Sequence, residues 1–171
     1  MFDIDIITLA ISAVAMIAFA LPFYFASRKI NKKKALALKQ IDDFIQSQNL
    51  TIQIRDIWRN QYFIGFDTAK GILVYCEHLD NSSPVLIDLK KINQVAIEEA
   101  AHVVGNMTNS HKVLDKLTLS MTDEHNRKIQ GLEFYDGDKY SDLNGEAVLI
   151  KKWELLIREQ AMSHKSKLQT A

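Results

Sequence analysis

Between Ile6 and Ser27 the chain runs for 22 residues without one Asp, Glu, Lys, Arg or His. Nothing else in the sequence restricts the fold as much. About 20 apolar residues at roughly 1.5 Å each cross a hydrocarbon core of about 30 Å. Inside lipid the backbone must satisfy its own hydrogen bonds, so the run is expected to be a transmembrane helix over residues 6–27. Pro22 falls near its end, and Phe23, Tyr24 and Phe25 fit an interfacial aromatic belt.

The flanking charges set the expected orientation. Asp3 and Asp5 precede the run, whereas Arg28, Lys29, Lys32, Lys33, Lys34 and Lys39 follow it. The positive-inside rule puts the basic flank in the cytoplasm and residues 1–5 outside, as in a single-pass protein of the inner membrane. A cleaved signal peptide fits less well, although Ala18-Phe19-Ala20 has the small-x-small form. The leading residues are acidic, and the apolar run continues past Ala20.

Composition narrows the functions. The 171 residues hold 21 Lys+Arg and 21 Asp+Glu. The six basic residues from Arg28 to Lys39 and the two leading aspartates leave 15 Lys+Arg and 19 Asp+Glu in residues 40–171, a net of −4. That acidic balance is mildly repelled by an anionic leaflet, so the general surface of the domain is not expected to bind lipid or nucleic acid. The basic flank itself is topogenic and suited to anionic headgroups, at about 1 kcal/mol per well-placed cation. One cysteine excludes a disulfide scaffold.

Residues 28–49 read as a basic juxtamembrane stretch leading into an amphipathic linker helix. Leu38, Ile41, Phe44, Ile45 and Gln48 recur at helical spacing. Their stripe can dock on the following domain, on a second copy or on the bilayer. From Thr51 the period changes to two. Strands are expected over Thr51–Ile57, Tyr62–Asp67, Ile72–Glu77, Val85–Leu89, Ile92–Glu99, Val113–Thr122 and Lys128–Asp136. Thr68–Gly71 makes a tight turn, Gly131 marks a bulge, and Ala100–Ser110 reads as a loop. A C-terminal helix follows. Leu143, Ala147, Ile150, Trp153, Ile157 and Ala161 form its apolar stripe, and Asn144 is the expected N-cap. Residues 163–171 read as a flexible tail.

The fold class is thus an N-terminal transmembrane helix and a mainly-β domain of about seven antiparallel strands, a barrel or sandwich capped by the last helix. This order resembles the pleckstrin-homology-like fold, in which two near-orthogonal sheets are closed by a helix that carries a Trp. Lys151-Lys152-Trp153-Glu154-Leu155-Leu156 fits that helix. The blocks Ile64-Gly65-Phe66-Asp67, Gly71-Ile72-Leu73-Val74-Tyr75 and Leu132-Glu133-Phe134-Tyr135-Asp136 resemble those of small uncharacterised bacterial single-pass membrane proteins with such a domain. The resemblance implies a PH-like cytosolic domain over residues 50–162, with Trp153 as its structural anchor. Lipid-binding members carry several basic residues around the first hairpin. Here Arg55, Arg59 and Lys70 are mixed with Asp56 and Asp67.

No catalytic, cofactor or metal motif appears. Cys76, His78, His102 and His111 follow no ligand pattern. The acidic group Glu133, Asp136, Asp138 and Asp142 lacks the spacing of a calcium loop and reads as a solvated turn. Trp58 and Arg59 fall in a hairpin turn. They read either as an exposed contact pair for a protein partner or as a Trp folded back over the rim of the domain. The functional expectation is a non-enzymatic, membrane-anchored cytosolic interaction or scaffold domain, able to form homo-oligomers, with an unidentified protein partner. The alternative is a lipid- or small-ligand-binding module at the inner membrane surface.

Overall fold

The computed structural model describes residues 6–79, 83–106 and 109–169. Residues 1–5, expected outside the membrane, and part of the His78–Pro84 loop lie outside the described residues.

One helix, α1 (Ile6–Ser47), carries both the apolar run and the linker stripe, with Pro22 inside it. At 1.5 Å per residue its 42 residues extend about 63 Å. Its first part is long and apolar enough to cross a membrane and is not buried in the fold. Its last three turns are amphipathic and do pack. Ala37, Ile41 and Ile45 are buried against Phe63, Val74, Cys76 and Leu79. The linker stripe therefore docks on its own domain, the first of the three placements open to it.

Strands β1 (Ile54–Trp58), β2 (Tyr62–Asp67), β3 (Ile72–Cys76) and β4 (Val85–Asp88) form an antiparallel sheet in sequence order. After a 3-10 turn at Leu89–Lys91, β5 (Gln94–Asn106), β6 (Asn109–Thr122) and β7 (Lys128–Asp136) form a second sheet. Helix α2 (Glu146–Gln169) closes the structure. The sheets share no strand pairing among the described residues, so the sandwich form of the expectation holds and a closed barrel does not.

The apolar runs of β2 and β3 follow from being covered on both faces. Tyr62, Ile64, Phe66, Leu73 and Tyr75 point into the core between the sheets, while Phe63, Val74 and Cys76 point out under α1. The main core joins those inward residues to Leu117, Leu119, Met121, Leu132 and Phe134 of the second sheet and to Ile150, Trp153 and Ile157 of α2. The Thr68–Gly71 turn is held by Asp67. Its buried carboxylate accepts from the backbone N–H groups of Thr51 at 2.8 Å and Lys70 at 2.9 Å, and Gly71 takes a φ of 72°.

Several boundaries differ from the sequence reading. β1 begins at Ile54, and α2 continues to Gln169 where a flexible tail was expected. The first α2 bonds go to the Gly145 carbonyl, from Val148 and Leu149 N–H, so the cap lies one residue past Asn144. Leu143 and Ala147 are exposed, and the buried stripe begins at Glu146. Gly131 stays in register with Ser120; the irregularities fall either side, with Ile129 and Phe134 as the extra residues. Most of Ala100–Ser110 is strand. Val103 pairs with Lys112 and Gly105 with Ser110, so β5 and β6 form a long two-stranded ribbon. Its polar and glycine content made it read as a loop.

Candidate functional site

Side-chain contacts define two ends of the domain. Lys34 Nζ donates to Asn60 Oδ1 at 2.7 Å, and Asp42 meets Arg55 at 3.4 Å, so α1 runs antiparallel to β1. The β1–β2 turn is thus at the near end, toward the apolar half of α1. The β2–β3 turn is at the far end, where Gln160 of α2 donates to the Thr68 carbonyl at 3.2 Å.

The near end holds the densest polar network. Arg59 and Asn60 both take positive φ, 54° and 52°, in the three-residue connection between the paired Trp58 and Tyr62. Arginine is unfavourable there, and its contacts compensate. The Arg59 guanidinium pairs with Glu146, donates to the Asp142 carbonyl and lies 4.5 Å from the Tyr140 ring centroid. Hydrogen bonding to Glu146 raises the Arg59 pKa further, so the charge is permanent. Glu146 is buried in the first turn of α2, where the helix dipole favours a carboxylate, and it also accepts from the Asn144 N–H. Arg59 thereby ties the β1–β2 turn to the start of α2.

Beside it, Glu133 is buried and accepts from Tyr62 Oη at 2.9 Å, Lys116 Nζ at 2.8 Å and Lys139 Nζ at 2.5 Å. Burial pushes its pKa up, but the three donors outweigh it and hold the carboxyl at about 2. Burial lowers the Lys139 pKa, yet Glu133 and Glu77 more than reverse this. Burial raises the Tyr62 phenol, and Glu133 raises it further. At neutral pH Glu133 is ionised, Lys139 charged and Tyr62 protonated. None of the three has a proton to exchange near pH 7, and the network acts as a fixed set of matched charges. A recess of about 200 Å³ opens beside it, lined by Arg59, Asn60, Gln61, His78 and Leu79. There Gln61 bonds His78 Nδ1 at 3.0 Å and accepts from Tyr140 Oη at 2.6 Å.

The residues singled out by sequence are distributed as follows. Trp58 is buried, not exposed. It stacks between Tyr62 and Phe134, with centroids 5.0 and 4.9 Å away, and its indole donates to the Phe134 carbonyl at 2.9 Å. With the Arg59 side chain only 13% exposed, the pair faces inward: of the two readings, the Trp folded back over the rim is the one observed, not an exposed pair. Trp153 is fully buried in the same core. Arg28, Lys29, Lys32 and Lys33 stay exposed on α1, and Arg28 lies 4.6 Å over the Tyr24 ring. Lys34 alone of these touches the domain in the contacts above, through Asn60. The four-residue acidic group is split: Glu133 goes to Lys116 and Lys139, Asp142 to Arg59. Among the described residues no three His, Cys, Asp or Glu groups are placed to hold a metal ion.

Sequence reading missed the Glu133–Lys139 and Arg59–Glu146 pairs. The available signal was Glu133 itself, a carboxylate between Leu132 and Phe134 in an apolar strand. Such a residue needs a cation once it is covered. No family model, characterised protein or solved structure matches the chain at a significant level.

Proposed function

We propose that this is a single-pass inner-membrane protein whose N-terminus lies outside and whose PH-like domain works in the cytoplasm as a non-enzymatic interaction or scaffold module. The continuity of α1 carries the reading. Only six residues, about 10 Å of helix rise, separate Ser27 at the end of the apolar run from Lys34 on the domain. Docking of Ala37, Ile41 and Ile45 then leaves no flexible linker between anchor and domain. A domain held in this way presents a constant set of surfaces to whatever lies at the membrane. That suits a scaffold better than a tethered, freely rotating enzyme.

An interaction role is further supported by α2. Val148, Leu155 and Met162 are 75%, 56% and 56% exposed and recur every seven residues on its outer face. A reporter fused to Ala171 tests the topology: activity of a reporter that works only outside the cytoplasm rules the reading out. A photocrosslinking residue at Val148 or Leu155, in native membranes, tests the interaction. Discrete protein adducts at both positions, absent from the buried Ile150, are expected. Adducts to lipid alone would count against a scaffold and for the second reading, a lipid-binding module. The β5–β6 ribbon specifically favours that second reading.

A further inference from the structure

Among the described residues no third strand pairs with the β5–β6 ribbon, and only Leu114 at its root packs on the main core. Asp136 of β7 pairs with Lys116, and beyond that point β5 and β6 pair only with each other, from Ala101↔Leu114 to Asn106↔Asn109. At its root Asp115 is the extra residue opposite Ala100 and Ala101. Its carbonyl is free of the β5 ladder and accepts from Gly137 N–H at 2.6 Å. A two-stranded ribbon of this kind is marginal in water on its own. Here it also exposes Val103, Val104 and Val113, at 70%, 49% and 42%.

Its direction follows from contacts already described. β5 starts at the far end, where Asn93, Gln94 and Val95 share a recess with Arg158, Ala161 and Met162. It then runs toward the near end. The ribbon root sits beside the near-end network: Gly137 bonds Asp115, and Lys139 bridges Glu133 and Glu77. Ala101–Asn106 therefore project past the near end, the end that the anchor holds toward the bilayer. Six strand residues reach about 20 Å. The apolar run of α1 ends only about 10 Å above Lys34. The reach exceeds the gap.

Charge agrees with this placement. From Ala100 to Leu114 there are 15 residues without Asp or Glu, in a cytosolic portion that is otherwise acidic. The segment carries Lys112, His102 and His111 instead. Lys112 lies 3.5 Å from Glu99 at the root, and His102 Nδ1 meets Asp115 Oδ1 at 2.5 Å, so both carboxylates lie outside the projecting segment. Each exposed valine has a polar neighbour across the ribbon, Val103 opposite Lys112, Val104 opposite His111 and Val113 opposite His102. That is the mixture a headgroup layer accepts, with methyl groups against the acyl boundary and the Lys112 ammonium and polar imidazoles among anionic phosphates.

We propose that the ribbon is a second membrane contact, resting Val103, Val104 and Val113 in the anionic leaflet next to the anchor of the same chain. The inference rests on the anchored reading above. Two contacts, one spanning and one lateral, would fix the tilt of the domain as well as its distance from the bilayer.

The test uses the full-length chain in vesicles of phosphatidylcholine and phosphatidylglycerol. A polarity-sensitive fluorophore is attached at Val104→Cys, at Phe19→Cys within the span, or at Thr68→Cys at the far end. The parent chain, whose only cysteine is buried, supplies the blank. The expected result is a blue-shifted Val104→Cys signal, quenched several-fold more by lipid-borne nitroxide than the Thr68→Cys signal and shielded from aqueous iodide. Adding Val103→Asp should abolish the difference. Quenching at Val104→Cys equal to that at Thr68→Cys, with Phe19→Cys in lipid, overturns the ribbon contact and leaves the anchor standing. An aqueous Phe19→Cys overturns the anchor itself and with it the ribbon contact. Shielding of Val104→Cys from iodide without lipid quenching means that a second copy or another protein covers the ribbon, which also overturns the proposal.

Discussion

The indole N–H of Trp153 donates to Oδ2 of Asp56 at 2.9 Å, and the Lys152 ammonium reaches the same oxygen at 2.6 Å. One carboxylate on the edge strand β1 thus fixes both the rotation and the height of α2 over the core. The ring of Trp153 is fully buried, whereas Lys152 is half exposed.

Truncating the two neighbours should therefore have unequal effects. Trp153→Ala removes a large ring from a packed core and is expected to cost about 3–5 kcal/mol. Lys152→Ala removes an exposed ion pair worth at most about 1 kcal/mol and leaves Asp56 its indole donor. Thermal melts of the two variants provide the comparison. Equal, small shifts would mean that α2 is not anchored by this residue.

Glu133 makes the domain acid-sensitive in a defined window. Its folded pKa of about 2 lies below the ordinary 4.5. A depressed carboxylate pKa stabilises the fold above the unfolded value, and the contribution is lost as pH falls from about 4.5 toward 2. The full shift corresponds to stability on the order of 3 kcal/mol. Melting temperature should accordingly drop between pH 5 and pH 3, and Glu133→Gln should flatten that drop. Some slope should remain, because Asp67 is also held low: burial raises its pKa, but backbone N–H donors outweigh it. An unchanged slope in Glu133→Gln would assign the acid sensitivity elsewhere.

Gly137 is expected to tolerate no side chain. A Cβ there would lie 3.1 Å from the Asp115 carbonyl oxygen and 3.3 Å from that of Leu114. Both are backbone atoms at the root of the ribbon, and the first already accepts the Gly137 N–H. Gly137→Ala should lose about 1–3 kcal/mol, the usual range for overpacking. Amide exchange should accelerate at the ribbon root before it does in β2 and β3. Uniform exchange across both sheets would contradict this local picture.

The elements that sequence revealed are those with one dominant period. Leu117, Leu119 and Met121 alternate and are buried; Ile150, Trp153 and Ile157 recur at helical spacing and are buried. The uncharged stretch before Arg28 was equally plain. What escaped reading was decided by contacts distant in sequence. Trp58 was ambiguous because its neighbours Arg59 and Asn60 look like solvent residues. Glu146, 87 positions away from Arg59, turns that side chain inward. The ribbon was missed for the opposite reason: β-pairing alone holds Ala101–Asn106 straight, with no buried face to impose a pattern. The docked face of α1 was legible as a stripe, but its target was not. Phe63, Val74 and Cys76 sit among inward-facing apolar residues that hide the alternation.

Cys76 offers a direct reading of that docking. Its thiol is 1% exposed and belongs to the cluster covered by Ala37, Ile41 and Ile45. Burial raises its pKa, and only partly do backbone donors counter this, so the reactive thiolate is doubly scarce. In the native chain a water-soluble thiol reagent should react slowly. Ile41→Asp places a carboxylate where the side chain is fully buried, at a cost of several kcal/mol unless the helix lifts away. Lifting is the cheaper response, because the main core lies on the other face of the first sheet and keeps Trp58 and Trp153. Cys76 should then react many times faster, while the tryptophan emission stays that of a buried indole. Unchanged protection of Cys76 would show that α1 is not its cover. Loss of the tryptophan signal together with fast labelling would show that the docked turns of α1 are part of one cooperative unit with the sandwich rather than a detachable strut.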